Sequence, residues 1–270
     1  MQRRGAKLCA WVLMLSSIAA LQMPMITQAA TKLTLPAPIT WATYYGEGQV
    51  DVLKQYQLVN LEGQNYSAAE IAAIKSGGTK VISYLNVGAC EIDGEDARSY
   101  AAACQPYKLE SYHGFPGEFW MDVSNAGWRS VVLDTIAPPL AAKGIDGFFF
   151  DNLDVVDLRE NRPDIHAGLV ALVQELRAKY PSMIFVANNG FTVINELLPS
   201  IDALTKEDVF STYDFDTNTY KDQEVAVTNE IVARLSQLKQ QGLPILTIDF
   251  QINAAKVQEY RQRTIDFGFS

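Results

Sequence analysis

From Thr31 onward the apolar positions fall into short runs of strand period that alternate with longer stretches of helical spacing. The strand-type runs are Ile39 to Tyr45, Gln57 to Leu61, Lys80 to Asn86, Phe119 to Met121, Gly147 to Phe150, Met183 to Ala187, Ile201 to Thr205 and Ile245 to Ile248. Ser67 followed by Glu70 forms a capping box that predicts a helix to about Lys75, stopped by Gly77-Gly78. Asn125 to about Lys143 reads as a helix that Pro138-Pro139 should break or kink. Pro163 to Tyr180 carries Ile165, Leu169, Leu172, Val173 and Leu176 at helical spacing. A short helix over Val193 to Leu198, an amphipathic one over Gln223 to Gln241 with Gly242 as its stop, and a last one from Ala254 to about Phe267 complete the pattern. Eight strands in regular alternation with helices predict a (β/α)8 TIM barrel, one domain over residues 31–270. A doubly wound open sheet is the alternative, but no Gly-x-Gly-x-x-Gly follows any strand and no P-loop motif is present.

The first thirty residues fall outside that pattern. Arg3, Arg4 and Lys7 precede an apolar run from Leu8 to about Leu21, and small residues follow at Thr27, Ala29 and Ala30. This predicts a secretory signal peptide over residues 1–30, cut after Ala29 or Ala30. An uncleaved anchor is the other reading, against which the run is shorter than the ~20 apolar residues a span needs. The expected product is secreted or periplasmic, monomeric and free of the membrane. Cys90 and Cys104 would then meet an oxidising compartment, where such a pair forms a disulfide. They lie in a long connection, Val87 to Glu118, and connections of that length are usually functional.

Charge and histidine count narrow the chemistry. The leader takes away three basic residues and no acidic ones, so a formal charge of -9 becomes -12. That disfavours nucleic acid and anionic lipid and suits a cationic ligand, although solubility alone explains it equally well. Only His113 and His166 are available, so a histidine-rich metal site is close to excluded. No metal and no cofactor is expected.

In a barrel the chemistry sits at the C-terminal ends of the strands. Those ends deliver Tyr44 and Tyr45, Glu62, Asn86, Asp122, Asp151, Asn188, Glu207 and Asp249. Carboxylates flanked by amides and aromatic rings suit sugars, whose hydroxyls bond oxygens and amides and whose apolar faces stack on rings. Paired carboxyls are what glycoside cleavage needs. Asp151 and Glu207 end strands separated by one other, which permits a retaining spacing, although Asp122 with Asp249 is argued in the same way. Plainer roles stand beside these. Asp122 also fits a helix cap, Asp146 a turn, Asp154 and Asp157 a solvated loop, and Tyr44, Tyr84 and Trp120 a barrel core. Glu207 could pair with Lys206, although adjacent strand residues face opposite ways.

Four runs carry a resemblance: Trp41-Ala42-Thr43-Tyr44-Tyr45-Gly46, Val81 to Glu91, Gly144-Ile145-Asp146-Gly147-Phe148-Phe149-Phe150-Asp151-Asn152-Leu153-Asp154, and Ala203 to Asp208. Together they resemble glycoside hydrolase family 114, the endo-alpha-1,4-polygalactosaminidases and related secreted barrels, from about Thr40 to Phe269. The most specific part is the Asp-Gly-(aromatic)3-Asp-Asn-x-Asp run. The resemblance implies a barrel that hydrolyses alpha-1,4-linked galactosamine polymers, a cationic polysaccharide, with Asp151 and Glu207 as its acid pair; Asp151 is assigned here as nucleophile and Glu207 as acid/base, with the reverse order left open. It implies that Asn152 and Asp154 shape the site and that Glu91, Asp122, Asn188 and Asp249 contact sugar hydroxyls or amines, beside Tyr44, Tyr84 and Asn86. The sequence stops at Gly268-Phe269-Ser270, where family members run on, so a truncated product is also expected. The rival readings are a non-catalytic polysaccharide-binding barrel, a glycosidase of another amino-sugar polymer, and a metal-dependent hydrolase using the Asp cluster.

Overall fold

The strand Gly147–Asp151 shows how the sheet is built. Phe148 and Phe150 point into a core shared with the helices, while Phe149 points the other way, into a second core made of strand residues and Ile39. All three are fully buried, so this strand is covered on both faces. It lies so close to its neighbour that a Cβ on Gly147 would come within 1.9 Å of the Ile184 carbonyl oxygen, which only glycine avoids.

The computed structural model describes residues 38–95, 97–214 and 216–270, and the expected signal peptide over residues 1–30 lies outside them. The described strands are β1 (Trp41–Tyr44), β2 (Leu58–Leu61), β3 (Lys80–Asn86), β4 (Ala89–Glu91), β5 (Lys108–Ser111), β6 (Glu118–Met121), β7 (Gly147–Asp151), β8 (Ile184–Asn188), β9 (Ala203–Glu207), β10 (Ser211–Asp214), β11 (Thr219–Asp222) and β12 (Ile245–Ile248). Seven form one parallel sheet in the order β1-β2-β3-β7-β8-β9-β12. Its concave face gathers Trp41, Leu58, Ile82, Phe149, Val186, Ala203 and Leu246, one from each strand, so the first and last strands look into the same core. The helices, Pro163–Lys179 and Val225–Gln240 among them, pack on the convex face alone. One-sided cover excludes the doubly wound sheet.

The sheet is curled but open, a partial barrel rather than the closed eight-stranded one expected. Between β12 and β1 lies Ser270, whose N–H donates to the Ile245 carbonyl at 3.0 Å and whose carbonyl accepts from Thr247 N–H at 2.8 Å. Its hydroxyl accepts from the Ile39 N–H at 3.0 Å. The expected fourth barrel strand, Phe119–Met121, is a strand, yet it belongs elsewhere. It is the centre of a separate antiparallel sheet, β4-β6-β5, folded from the long connection itself. β3 pairs directly with β7, Asn86 opposite Asp151, and leaves no place between them. Antiparallel pairing within one excursion closes short loops, whereas a parallel place would require splitting that ladder. The disulfide joins Cys90 to Cys104 beneath this small sheet, with both cysteines buried.

The helix after β6 does not break at Pro138-Pro139. Val131–Ile136 is instead wound as a π-helix in which Ala137 N–H donates to the Val132 carbonyl, and Ala137–Ala141 continues it. The two prolines bring no N–H for the carbonyls of Asp134 and Thr135, and the wider turn accommodates their rings.

Candidate active site

Three neighbouring strands end in the same way. Asp151, Asn188 and Glu207 are the last residues of β7, β8 and β9, and each is followed by a left-handed residue: Asn152 (φ 60°), Asn189 (φ 59°) and Asp208 (φ 58°). Asn and Asp are the side-chain-bearing residues that tolerate this conformation. Strand alternation carries the concave face from Phe149 to Asp151, from Val186 to Asn188, from Ala203 to Glu207 and from Tyr84 to Asn86. The four polar groups therefore converge above the inner core. A Cβ on Gly88 would come within 1.9 Å of the Asn152 carbonyl oxygen, so the turn after β3 needs glycine to let the Asp151-Asn152 turn approach.

Asn188 stands between the two carboxyls. Its Nδ2 donates to Asp151 Oδ1 at 2.8 Å and to Glu207 Oε1 at 3.3 Å, which keeps those oxygens within about 6 Å of one another. Asn189 Nδ2 donates to the other oxygen of Glu207, Oε2, at 3.3 Å. Burial raises the Asp151 carboxyl above its usual range, against the pull of Asn188, the Asn152 backbone N–H and the Tyr84 hydroxyl. Burial, and then the charge on Asp151, pushes Glu207 up to about 7. Such a pair titrates as a unit.

A second network braces the Asp151 side. Asn86 Nδ2 donates to Glu118 Oε1 at 2.8 Å, and Asn152 Nδ2 reaches both Asn86 Oδ1 at 3.0 Å and Glu118 Oε1 at 3.2 Å. Asn86 Oδ1 also accepts from Ala89 N–H at 2.7 Å. Glu118 is buried, and burial followed by the Glu91 charge brings it to about 7. It was not among the expected site residues. Its signal was a lone acid at the start of an otherwise apolar strand, Glu118-Phe119-Trp120-Met121.

Two aromatic side chains outside the expected substrate contacts join the site. The Tyr45 ring meets Tyr84 edge-on at 5.4 Å, and its hydroxyl accepts from Asn60 Nδ2 at 3.2 Å. Burial of that hydroxyl, with the charges on Asp151 and Glu207, holds it far above the usual tyrosine range. Tyr112, from the long connection, stacks on Trp120 at 4.1 Å. Its hydroxyl is raised by burial and then by Asp154, Asp151, Glu118 and Glu207, four carboxyls of the site.

Other expected residues have different neighbours. Tyr44 packs on the outer core and donates its hydroxyl to the Glu47 carbonyl. The Asp122 carboxylate is taken up by the N–H and hydroxyl of Ser124. Asp249 accepts the backbone N–H groups of Phe210 at 2.6 Å and Ser211 at 2.9 Å, fastening the chain that follows β9. Asp146 accepts from Val81 N–H and pairs with Lys75, as a turn residue would. Glu91 binds Arg98 at 2.6 Å, and Arg98 also binds Glu62 at 2.9 Å, 6.0 Å over the Tyr84 ring. The second oxygen of Glu91 is buried without a protein partner. Asp154, on the 3-10 turn Leu153–Arg159, is raised to about 6 by burial and then by Asp151. Lys206 does not pair with the Glu207 carboxylate. Its Nζ donates to Asn189 Oδ1 at 2.9 Å and to the Glu207 carbonyl at 2.6 Å. Among the described residues no group of three or more His, Cys, Asp or Glu side chains is arranged to hold a metal ion.

Comparison with known proteins fits this geometry. The model of glycoside-hydrolase family GH114 matches residues 24–269. The fold is similar to that of the glycoside hydrolase domain of PelA from Pseudomonas aeruginosa, with a TM-score of 0.76 and 25% identity over 85% of this chain and 92% of that one. It is also similar to Aspergillus fumigatus Ega3, solved in complex with galactosamine, with a TM-score of 0.65 and 20% identity over 90% of this chain and 94% of the other. An uncharacterized protein of Deinococcus radiodurans is 26% identical over 262 residues, covering 89% of this chain and 81% of its own.

Proposed function

The chain belongs to glycoside-hydrolase family GH114, and on that premise we propose that it is an exported endo-glycosidase that cleaves an alpha-1,4-linked galactosamine polymer through Asp151 and Glu207. Glycoside hydrolysis itself follows from the family and from the likeness to the PelA hydrolase domain. The observation that carries the rest is the single amide group of Asn188 shared by two carboxyls. The two N–H bonds of an amide diverge by 120°, so bonds of 2.8 and 3.3 Å put the accepting oxygens roughly 5 Å apart, the spacing of a retaining pair.

The environments divide the roles. Asp151 receives the shorter bond from Asn188 together with a backbone N–H and the Tyr84 hydroxyl, all of which favour its anion. Glu207 accepts its two amide bonds at the longer 3.3 Å, and burial followed by the Asp151 charge carries it to about 7, so it holds its proton near neutral pH. In the reaction so assigned, Asp151 attacks the anomeric carbon as Glu207 protonates the departing glycosidic oxygen, leaving a glycosyl ester on Asp151. Glu207, now a carboxylate, takes a proton from water, whose oxygen attacks the same carbon and releases Asp151. Tyr45 and Tyr112 supply rings for sugar faces, and Glu91, Glu118 and Asp154 supply carboxyls for amines and hydroxyls. The galactosamine bound to Ega3 and the acidic balance of this chain support an amino-sugar polymer as the substrate.

The test is to incubate the protein with partially deacetylated alpha-1,4-galactosamine polymer and count new reducing ends, beside Asp151→Asn. Release by the wild type alone supports the reading. Equal release by both removes Asp151 from the mechanism, and polymer bound but uncut makes the protein a binder.

A further inference from the structure

Glu207 is held by residues that are themselves held. Adjacent strand residues face opposite ways, so Lys206 leaves β9 on the side away from the Glu207 carboxyl. Its Nζ turns instead to Asn189, donating to Oδ1 at 2.9 Å, and to the Glu207 carbonyl at 2.6 Å. Asn189 in turn spans two strands. Its backbone N–H donates to the Thr205 carbonyl at 2.8 Å, its Oδ1 accepts from the Glu207 N–H at 3.2 Å, and its Nδ2 donates to Glu207 Oε2 at 3.3 Å.

An asparagine amide rotates readily between two orientations of nearly equal shape, and its neighbours decide which one is kept. Here both groups on one side of it, the Lys206 ammonium and the Glu207 N–H, can only donate. They demand the oxygen. The nitrogen is therefore turned to Glu207 Oε2, and with Asn188 on Oε1 each oxygen of that carboxyl accepts one fixed N–H. The acid proton is left to the remaining lone-pair positions, where a substrate oxygen can meet it.

We propose that Lys206 is a positioning residue for the acid/base carboxyl, acting through Asn189 to fix the orientation of the amide that binds Glu207. This rests on the assignment of Glu207 above. Lys206 sits among Asp208, Glu207, Asp154 and Asp249, with burial opposing its charge and those four acids favouring it. Around Glu207 itself stand Asp151 and Asp208, with the Tyr45 and Tyr112 hydroxyls nearby. Removing the ammonium takes away a positive charge and one of the two donors that hold the amide in this orientation. Each change disfavours the Glu207 carboxylate, so its pKa rises.

The test uses three variants of the full chain: Lys206→Met, Asn189→Gly, which keeps the left-handed backbone accessible, and the double variant. Glu207 is titrated directly by infrared difference spectroscopy with 13C-labelled glutamate, assigned through Glu207→Gln, and the pH profile of kcat/KM is recorded beside it. Lys206→Met is expected to move the Glu207 midpoint, and with it the alkaline limb, up by about one pH unit. The expected fall in kcat is about tenfold to a hundredfold with KM little changed. The double variant is expected to move the midpoint by clearly less than the sum of the two single shifts, since only the direct charge effect of Lys206 is independent of Asn189. An unmoved midpoint in Lys206→Met, or shifts that add in the double variant, overturns the proposal. Because the infrared titration needs no substrate, a midpoint that moves in a protein inactive on the polymer upholds the relay and overturns the substrate reading instead.

Discussion

The two walls of the site are built from different material. On one, Asp151 ends a strand of three consecutive phenylalanines and is braced by a side sheet made from an excursion, through Asn86, Asn152 and Glu118. Among the described residues no basic side chain bonds its carboxylate; the donors are an amide, a backbone N–H and a tyrosine hydroxyl. On the other, Glu207 ends a strand of the main sheet and is braced by Asn189 with a half-buried lysine behind it. Burial raises both carboxyls above their usual range, Glu207 to about 7, and the donors around each oppose that rise to different degrees. In the roles proposed above, the nucleophile is the carboxyl that neutral donors crowd and the acid/base is the one they reach at longer range.

The largest break in that comparison comes from Asp151→Asn. It removes the attacking oxygen, and the turnover on any substrate the wild type cleaves is expected to fall at least a thousandfold, equivalent to about 4 kcal/mol of barrier. The wall itself can be loosened next. Changing Cys90 and Cys104 together to serine opens a link across 14 residues beneath the side sheet. Urea unfolding is expected to show a loss of about 3 kcal/mol. A variant with unchanged stability would show that β4-β6-β5 does not depend on the link.

The opposite wall predicts a gain. A carboxyl whose folded pKa lies above its unfolded value binds more protons in the folded state, so its contribution to stability falls as pH rises between the two values. For Glu207 that window runs from the ordinary carboxylate range to about 7. Glu207→Gln is therefore expected to inactivate the enzyme and yet to stabilise the fold at pH 8, by on the order of 1 to 3 kcal/mol, with the gain absent at pH 4. Equal stability at both pH values would mean that Glu207 is ionised freely in the folded protein. The smallest effect sharpens the contrast. Glu118→Gln keeps the oxygen that accepts from Asn86 and Asn152, so a gain of about 1 kcal/mol at pH 8 is expected with kcat changed less than about threefold. A loss like that of Asp151→Asn would make Glu118 a participant rather than a brace.

Much of this was legible in the chain. Seven of the eight strand runs pair in one sheet because their apolar residues serve an inner and an outer core, and that is the information alternation carries. The eighth could not be placed, since three or four apolar residues read alike in a barrel and in a side sheet and only the pairing of β3 with β7 decides. Asp151, Asn188 and Glu207 were found because they end strands. Tyr44 and Tyr45 both close the first strand run, where a step of one residue reverses the face, and the run alone does not say which ring meets Tyr84. Tyr112 and the contact of Lys206 with Asn189 were invisible for a common reason. Each depends on how a segment folds back over the sheet, and spacing along the chain does not record that.

The pairing of Asp151 with Glu207 is tested most directly by the stereochemistry of the cut. Proton NMR of the first reducing ends released from alpha-1,4-galactosamine polymer, read before the anomers equilibrate, distinguishes one displacement from two. Carboxyls roughly 5 Å apart, with Asp151 attacking, predict that the alpha anomer appears first. A beta anomer as the first product would contradict the account, since it requires a water held between more distant carboxyls and leaves Asp151 without its role as nucleophile.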